Sequence, residues 1–157
     1  MIFDGVCMLC AGVVQFIIKR DPQRAFLFAS LQSPTGARLL AAHGLSQADA
    51  LASFVVLTAP EAPGSAVLRR SDAALFIGRQ LAAPWPALAA AGACVPRVVR
   101  DGVYDLVARN RYSLFGKLGE KELCLAPTKA VISRFVSPEE VWADLKRKDA
   151  ASGSKEE

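Results

Sequence analysis

The chain has 157 residues, 52% hydrophobic and 22% charged, a balance typical of one compact domain with a sizeable core rather than of a disordered chain. The net charge is +4, but basic and acidic residues are interspersed and no alternation of aromatic and basic residues appears, so we expect no nucleic-acid binding. We also expect no transmembrane segment, because the longest apolar run, Leu81 to Val95, is interrupted by Pro84 and Pro86.

The most informative segment lies at the start of the chain. Met1-Ile2-Phe3 predicts a strand end, Asp4-Gly5-Val6 a turn, and Cys7-Met8-Leu9-Cys10 the first turn of a helix that continues to Arg20. Residues three apart lie on the same side of a helix, so the sulfurs of Cys7 and Cys10 can reach bonding distance. Unpaired N–H groups and the positive end of the helix dipole favour a thiolate at Cys7. We therefore predict that Cys7 attacks a disulfide and that Cys10, the less exposed of the two, resolves the mixed disulfide.

The cysteine motif is also compatible with roles that involve no redox chemistry. A structural zinc site needs four ligands, and the remaining candidates, Cys94, Cys124 and His43, are widely separated, so we expect no metal. Alternatively, the cysteine pair is inert and merely fills the core. Asp4 either carries protons to and from Cys10 or simply forms a turn with the glycine that follows it.

The following elements alternate between strands and helices. Ala25 to Leu31 predicts a strand, and a helix begins at Ser33-Pro34 and ends at His43-Gly44, with His43 as a cap. A hairpin of Ser53 to Thr58 and Ala66 to Arg70, with its turn in Ala59 to Ser65, precedes a helix capped by Ser71-Asp72. Pro96 begins a long helix. We expect its Val99, Val103, Leu106 and Val107 to face the core, and we expect Cys94 to lie in the core as well.

This order of elements predicts an α/β fold: a thioredoxin-like mixed sheet flanked by helices, with a C-terminal helical extension. We place the domain at residues 1–136, followed over 137–157 by a short helix, which carries a capping box at Ser137 to Glu140, and a polar tail that we expect to be disordered from Asp149. No signal sequence is expected within the chain, because the cysteine motif leaves no room for one. The sequence leaves open whether a targeting peptide precedes it. Only three residues come before Asp4, which is short for a strand and suggests a trimmed amino terminus.

Several segments together resemble one protein family. They are Asp4-Gly5-Val6-Cys7-Met8-Leu9-Cys10, Phe28-Ala29-Ser30-Leu31-Gln32, Arg70-Ser71-Asp72-Ala73-Ala74, Arg109-Asn110-Arg111-Tyr112-Ser113-Leu114-Phe115-Gly116, and Cys124 with Pro127. From Ile2 to about Phe135 the chain resembles the DCC family of thiol-disulfide oxidoreductases, named for its Asp-x-x-Cys-x-x-Cys motif. The resemblance implies a thioredoxin-like fold and protein-disulfide reductase activity.

Four further residues are candidates for binding substrate or tuning the thiols. If the loop after the long helix folds back over the cysteines, Arg111 would stabilise a Cys7 thiolate or receive an anionic group such as a glutathione carboxylate. Otherwise Arg109 and Arg111 cap helix carbonyls, while Tyr112 anchors the loop in the core. Ser53 stands near the position where thioredoxins place a cis-proline, and it either replaces that proline beside Cys7 or is satisfied by the backbone.

We therefore predict a thiol-disulfide oxidoreductase that needs no metal or organic cofactor. Its substrate would be a protein or low-molecular-weight disulfide, and its reductant a thiol such as glutathione or a thioredoxin system. Four cysteines without a dense framework favour a reducing compartment, either cytoplasmic or organellar. The alternative is a redox-inactive thioredoxin-like module that uses Trp85 and the arginines of the extension to bind a partner protein. The sequence leaves the role of Cys124 open.

Overall fold

The computed structural model describes residues 1–58, 65–116, 128–143 and 146. The elements in chain order are β1 (Ile2–Phe3), α1 (Met8–Arg20), β2 (Ala29–Ser30), α2 (Pro34–Ala42), α3 (Gln47–Ala52), β3 (Val55–Leu57), β4 (Val67–Arg69), α4 (Arg70–Gln80), α5 (Trp85–Ala93), α6 (Arg97–Phe115) and α7 (Lys129–Ile132). Residues 138–143 are also helical. None of the helices in these ranges is both long and apolar enough to cross a membrane.

The strands form a mixed sheet in the order β2-β1-β3-β4. β1 and β2 are parallel, with Ile2 opposite Ala29, and α1 connects them. β3 runs antiparallel to β1 and pairs with β4 in a hairpin that places Val56 opposite Leu68. A βαβ unit followed by an antiparallel hairpin is the predicted thioredoxin-like α/β arrangement, and the fold class is confirmed.

Helices cover both faces of the sheet. Side chains alternate along a strand, so Val56 packs with α1 and α4 on one face, whereas Val55 and Leu57 pack with α2 and α3 on the other. The first face carries most of the aromatic residues and both cysteines of the amino-terminal motif. The motif therefore lies inside the layer formed by α1 and α4.

The second strand is shorter than predicted. The backbone N–H groups of Ala25 and Phe26 donate to the Asp21 carboxylate, and Phe28 pairs with Phe135 rather than with β1. The residues before Ala29 therefore have other hydrogen-bond partners, which leaves only Ala29–Ser30 for β1. The helices at Met8–Arg20 and Pro34–Ala42 and the hairpin are found where they were predicted, and His43 caps α2.

Arg134 connects α7 to the domain. Its guanidinium forms a fully buried ion pair with Asp21 and donates to the carbonyl oxygen of Phe26. Further along, Thr35 of α2 bonds the side chains of Ser137 and Glu140. The proposed boundary between residues 1–136 and 137–157 stays a prediction, and the tail from Asp149 lies outside the described residues.

Three predictions for the second half of the chain are wrong. α4 begins at Arg70, so Ser71 lies within its first turn, and the Ser71 hydroxyl donates to Asp101 of α6 instead of capping the helix. Cys94 is exposed at the end of α5. On α6, Val99, Val103, Leu106 and Val107 are all exposed. Val99, Val103 and Val107 border an open cavity between the helix and its neighbours, and Leu106 is not among the described residues that line it. The apolar periodicity of α6 showed that it has an apolar face but not what covers it.

Candidate active site

Cys7 lies at the N-terminus of α1 as its N-cap residue. Its backbone is extended, and its sulfur accepts a hydrogen bond from the backbone N–H of Cys10 at 3.3 Å. The preceding turn approaches β2 closely: a Cβ atom at Gly5 would lie 2.6 Å from the Ser30 hydroxyl oxygen. A glycine at this position therefore lets the motif pack against the end of the sheet.

The two thiols are electrostatically unequal. The pKa of Cys10 is raised well above its usual range, first by burial, then by its hydrogen bond to Cys7 and by the negative charges of Cys7 and Asp4, whereas Arg111 opposes the shift. Cys10 is therefore a neutral thiol at physiological pH. The Cys7 sulfur, in contrast, receives a backbone N–H at the positive end of a helix, an arrangement that stabilises negative charge on sulfur.

The expected order of exposure is wrong. Cys7 is 0% exposed and Cys10 is 6% exposed, so Cys7 is the more deeply buried of the two. Cys10 also borders a cavity, whereas Cys7 is not among the described residues that line it. Residues on either side of Cys7, Val6 and Met8, are exposed, so the sulfur lies beneath a surface turn rather than at the domain centre.

Asp4 is buried beside the cysteines in a network of donors. One carboxylate oxygen accepts hydrogen bonds from the Val6 backbone N–H at 3.2 Å and from the Gln32 side-chain amide at 2.9 Å. The other accepts from the Tyr112 hydroxyl and lies 3.5 Å from an Arg111 nitrogen. The bond from Val6 matches the turn-forming interpretation, and the negative charge acting on Cys10 is what the proton-carrying interpretation needs. Both features occur together.

Arg111 reaches this network from within α6, not from a loop after it as expected. The helix extends to Phe115, and its C-terminal half brings the guanidinium between Asp4 and the carbonyl oxygen of Ala108. Arg111 is 9% exposed, and its Nε–H has no hydrogen-bond partner in the described structure. Burial disfavours the charged form, but the hydrogen bond to Tyr112 and the neighbouring charges raise the pKa of Arg111 overall.

Tyr112 links the Asp4 carboxylate to the Arg111 guanidinium. Its hydroxyl accepts from Arg111 at 2.9 Å and donates to Asp4, and the Arg111 guanidinium lies 4.4 Å from the centre of its ring. Burial and the Asp4 carboxylate raise the pKa of Tyr112, so it remains a neutral donor. The structure thus brings Asp4, Arg111 and Tyr112 together beside the cysteines.

Arg109 and Ser53 lie elsewhere. Arg109 is exposed, and no hydrogen bond or ion pair among the described residues joins it to the motif. Ser53 is buried and accepts a hydrogen bond from the Arg70 backbone N–H at 2.7 Å, while its hydroxyl lies 3.3 Å from that of Tyr104. Backbone partners therefore satisfy Ser53, although it lines the same cavity as Cys10.

Two residues of the site were missed from the sequence. Asp4 follows β1 and Gln32 follows β2, and the carboxyl ends of these parallel strands meet at one edge of the sheet. The contact between the two side chains could therefore have been predicted from the sequence. Tyr104 of α6 accepts the Phe54 backbone N–H at 3.1 Å and gave no local signal. Within the described ranges, no group of three His, Cys, Asp or Glu residues could hold a metal ion. Cys124 and Pro127 lie outside those ranges.

A cavity of about 790 Å³, called the α6 cavity below, opens beside the motif. Most of its lining is apolar, and Leu9 and Val13 of α1, Leu75 and Ile77 of α4, and Val103 and Val107 of α6 are representative. Its lining also includes Asp4, Cys10 and Arg111. The dithiol motif therefore borders a large apolar space that carries few polar groups.

Comparison with known proteins agrees with this geometry. A family model described as DCC1-like thiol-disulfide oxidoreductase matches residues 1–117, a range that includes Asp4, Cys7, Cys10 and Arg111. The chain belongs to this DCC1-like family. It is 44% identical over 136 residues to the uncharacterized protein YuxK of Bacillus subtilis (strain 168), and the aligned segment covers 87% of this chain and 92% of the relative. It is also 41% identical over 123 residues to a chloroplastic DCC family protein of Arabidopsis thaliana, covering 78% and 68% of the two chains.

No solved structure matches the chain. Membership of the DCC1-like family supports a general role in thiol-disulfide redox chemistry, and the close pair Cys7 and Cys10 is the group that can perform it.

Proposed function

We propose that this DCC1-like protein is a thiol-disulfide oxidoreductase of the protein-disulfide reductase type, with Cys7 and Cys10 as its redox-active pair. The observation that carries the proposal is the unequal state of the two sulfurs. Cys7 accepts a helix N-terminal N–H, and the raised pKa of Cys10 keeps that residue a neutral thiol beside it. One residue is thus prepared as nucleophile and the other as a proton-bearing partner.

The proposed reaction has two exchange steps. The Cys7 thiolate attacks a substrate disulfide, forming a bond to one substrate sulfur and releasing the other as a thiolate, which takes a proton from solvent. Cys10 then loses its proton and attacks the Cys7 sulfur, which releases the second substrate thiol and closes the Cys7–Cys10 disulfide. The substrate gains two electrons from the Cys7–Cys10 pair and two protons, one from solvent and one that Cys10 gives up. A thiol reductant such as glutathione or a thioredoxin system restores the dithiol.

Asp4 is the proposed acceptor of the Cys10 proton. The carboxylate is buried close enough for its charge to raise the pKa of Cys10. Arg111 and Tyr112 hold Asp4 in place and are proposed as positioning residues. Because Cys7 is fully buried, the mechanism also requires that its sulfur becomes accessible when substrate binds.

Trapping the mixed disulfide tests the assignment. All variants are made in a Cys94→Ser, Cys124→Ser background, because Cys94 is exposed and would react with the same reagents. We expect Cys10→Ser to retain a substrate as a mixed disulfide on Cys7, detected by mass spectrometry, and Cys7→Ser to retain none. If substrate is instead trapped on Cys10 in the Cys7→Ser variant, and none is trapped on Cys7 in the Cys10→Ser variant, the assigned roles are reversed.

A redox-inactive binding module is the second candidate, and the burial of both sulfurs is the observation that favours it. The two candidates differ in a direct measurement. If the protein is equilibrated over a range of reduced to oxidised glutathione ratios and no Cys7–Cys10 disulfide forms at any ratio, the binding module is supported and the reductase is not.

We propose a reducing compartment, cytoplasmic or organellar, as the site of action. The name of the Arabidopsis relative describes that protein as chloroplastic, which is in keeping with an organellar location for some members of the family.

A further inference from the structure

We propose that the α6 cavity binds the apolar part of a low-molecular-weight disulfide, and that Arg111 accepts an anionic or carbonyl group of this substrate near its sulfur. The inference rests on the proposed dithiol exchange, and it assigns a low-molecular-weight disulfide as the substrate in place of a protein disulfide. It also makes a claim about ligand binding that can be tested without any thiol chemistry.

The first argument is access to the dithiol. Cys7 is 0% and Cys10 is 6% exposed, so a disulfide on the surface of a folded protein has no open route to either sulfur. The cavity, however, borders Cys10, whose backbone N–H lies 3.3 Å from the Cys7 sulfur. A slender molecule that fills the cavity therefore brings its sulfur atoms to Cys10, next to the Cys7 sulfur, which becomes accessible when the substrate binds.

The second argument is the size and character of the space. A cavity of about 790 Å³ falls within the range of about 300–1,000 Å³ that is usual for small-molecule sites. Such sites combine apolar walls with a few convergent polar groups that orient the ligand. Here Val103 and Val107 belong to the wall, and Cys10 and Arg111 supply polar groups beside the motif.

The third argument is the incomplete hydrogen bonding of Arg111. Its terminal nitrogens donate to Ala108 and Tyr112, but its buried Nε–H has no acceptor among the described residues. Buried donors are normally paired, and Arg111 is one of the residues that line the cavity, so its guanidinium is the group beside the motif to which a ligand acceptor can bind. Arg111 is the charged donor of the lining that stands beside the motif, because Arg100 is already paired with Asp72 and Asp4 has several donors of its own, so an anionic or carbonyl group fits at Arg111.

The fourth argument identifies which wall a ligand needs. Val103 is 61% exposed although it lines the cavity, whereas Val98 of the same helix is 85% exposed and lies outside it. Tryptophan at position 103 would fill part of the space, and tryptophan at position 98 would not. Both positions are exposed in α6, so neither change disturbs the core, and Val98→Trp is a matched control.

Binding is measured first with sulfur-free probes on the reduced full chain. We expect decanoate to bind in isothermal titration calorimetry and the affinity to fall up to about fourfold for each methylene removed in the series to hexanoate. Val103→Trp should weaken decanoate binding at least tenfold and Val98→Trp less than twofold. Decanol, which lacks the carboxylate, should bind at least several-fold more weakly than decanoate, and Arg111→Met should remove that difference.

Turnover is measured next with mixed disulfides of 3-mercaptopropionate and an alkanethiol, with glutathione as reductant. We expect kcat/KM to be at least tenfold higher for the octyl than for the ethyl disulfide, and this ratio to fall toward one in Val103→Trp but not in Val98→Trp. Equal kcat/KM for the two disulfides, together with no decanoate binding, would overturn the inference while leaving the dithiol function intact. Decanoate binding without any turnover would instead overturn the proposed function and the substrate assignment, and leave only a ligand site.

Two other occupants have distinct signatures. An apolar cysteine-containing peptide that displaces decanoate and is reduced faster than the octyl disulfide would overturn the assignment to a small molecule. A second copy of the chain would be detected by sedimentation velocity, as a dimer in the parent and in Val98→Trp but a monomer in Val103→Trp. That result would also overturn the assignment to a small molecule.

Discussion

Replacing Arg111 by methionine removes the cation beside a buried carboxylate and is expected to lower the stability of the protein markedly. Breaking a buried ion pair by removing one partner typically costs about 3–5 kcal/mol. Two features of this site reduce the figure. Asp4 keeps its hydrogen bonds from Val6, Gln32 and Tyr112. The substitution also removes a buried unpaired Nε–H, whose cost is about 1–3 kcal/mol.

We therefore expect Arg111→Met to lower the free energy of unfolding by about 2 kcal/mol. In urea unfolding followed by circular dichroism, this corresponds to a midpoint lower by about 1 M. Arg109→Met is the matched control, because Arg109 lies two residues away on the same helix and is exposed, and its effect should stay within about 0.5 kcal/mol. In an Asp4→Asn background, Arg111→Met should cost clearly less, because the carboxylate charge is already absent.

Equal midpoints for Arg111→Met and Arg109→Met would refute this reasoning. It would mean that the Asp4–Arg111 contact contributes no net stability, and the role of Arg111 as a positioning residue for Asp4 would lose its physical basis.

Four other predictions concern the stability of the fold and its pH dependence. Because the pKa of Cys10 is raised, the folded state holds a proton that the unfolded state releases above about pH 8.5. The reduced protein should therefore lose up to about 1.4 kcal/mol of stability per pH unit between about pH 8.5 and 10. Cys10→Ala should remove that loss. Gly12→Ala should add about 0.5–1 kcal/mol, because the position is exposed in α1 and a Cβ atom there meets nothing. Gly36→Ala should cost at least about 2 kcal/mol, because its Cβ would lie 2.0 Å from the backbone oxygen of Ser30. Arg134→Met should cost about 3–5 kcal/mol, because its carboxylate partner is left buried.

Urea unfolding checks all four, with the pH series run under reducing conditions. An unchanged pH slope in Cys10→Ala would show that another group carries the linkage. Similar effects of the two glycine substitutions would contradict the close approach of α2 to β2, and a neutral Arg134→Met would contradict the burial of its ion pair.

Much of the fold and the centre of the site could be predicted from local patterns. The helix at Met8–Arg20 follows from a capped apolar run, α2 from a Ser-Pro start and a Gly stop, and the hairpin from two β-branched runs around a turn. Cys7 at the N-cap and Cys10 one turn later follow from the same local pattern. In each case the hydrogen bonds that define the element lie within a few residues, so the sequence carries the whole signal.

The rest depends on contacts between segments distant in sequence. Arg111 and Tyr112 reach Asp4 because α6 packs beside α1, a contact that no local pattern encodes. Which sulfur is more buried, and whether the apolar face of α6 meets a core or an open cavity, depend on what the neighbouring helices cover. The amino-acid order by itself determined α1, α2, the hairpin, the thioredoxin-like arrangement and the dithiol; only tertiary packing decided the length of β2, the exposure of the thiols and the side chains around them. The physical reason is that periodicity reports an apolar face, whereas burial and charge depend on the partner that face meets.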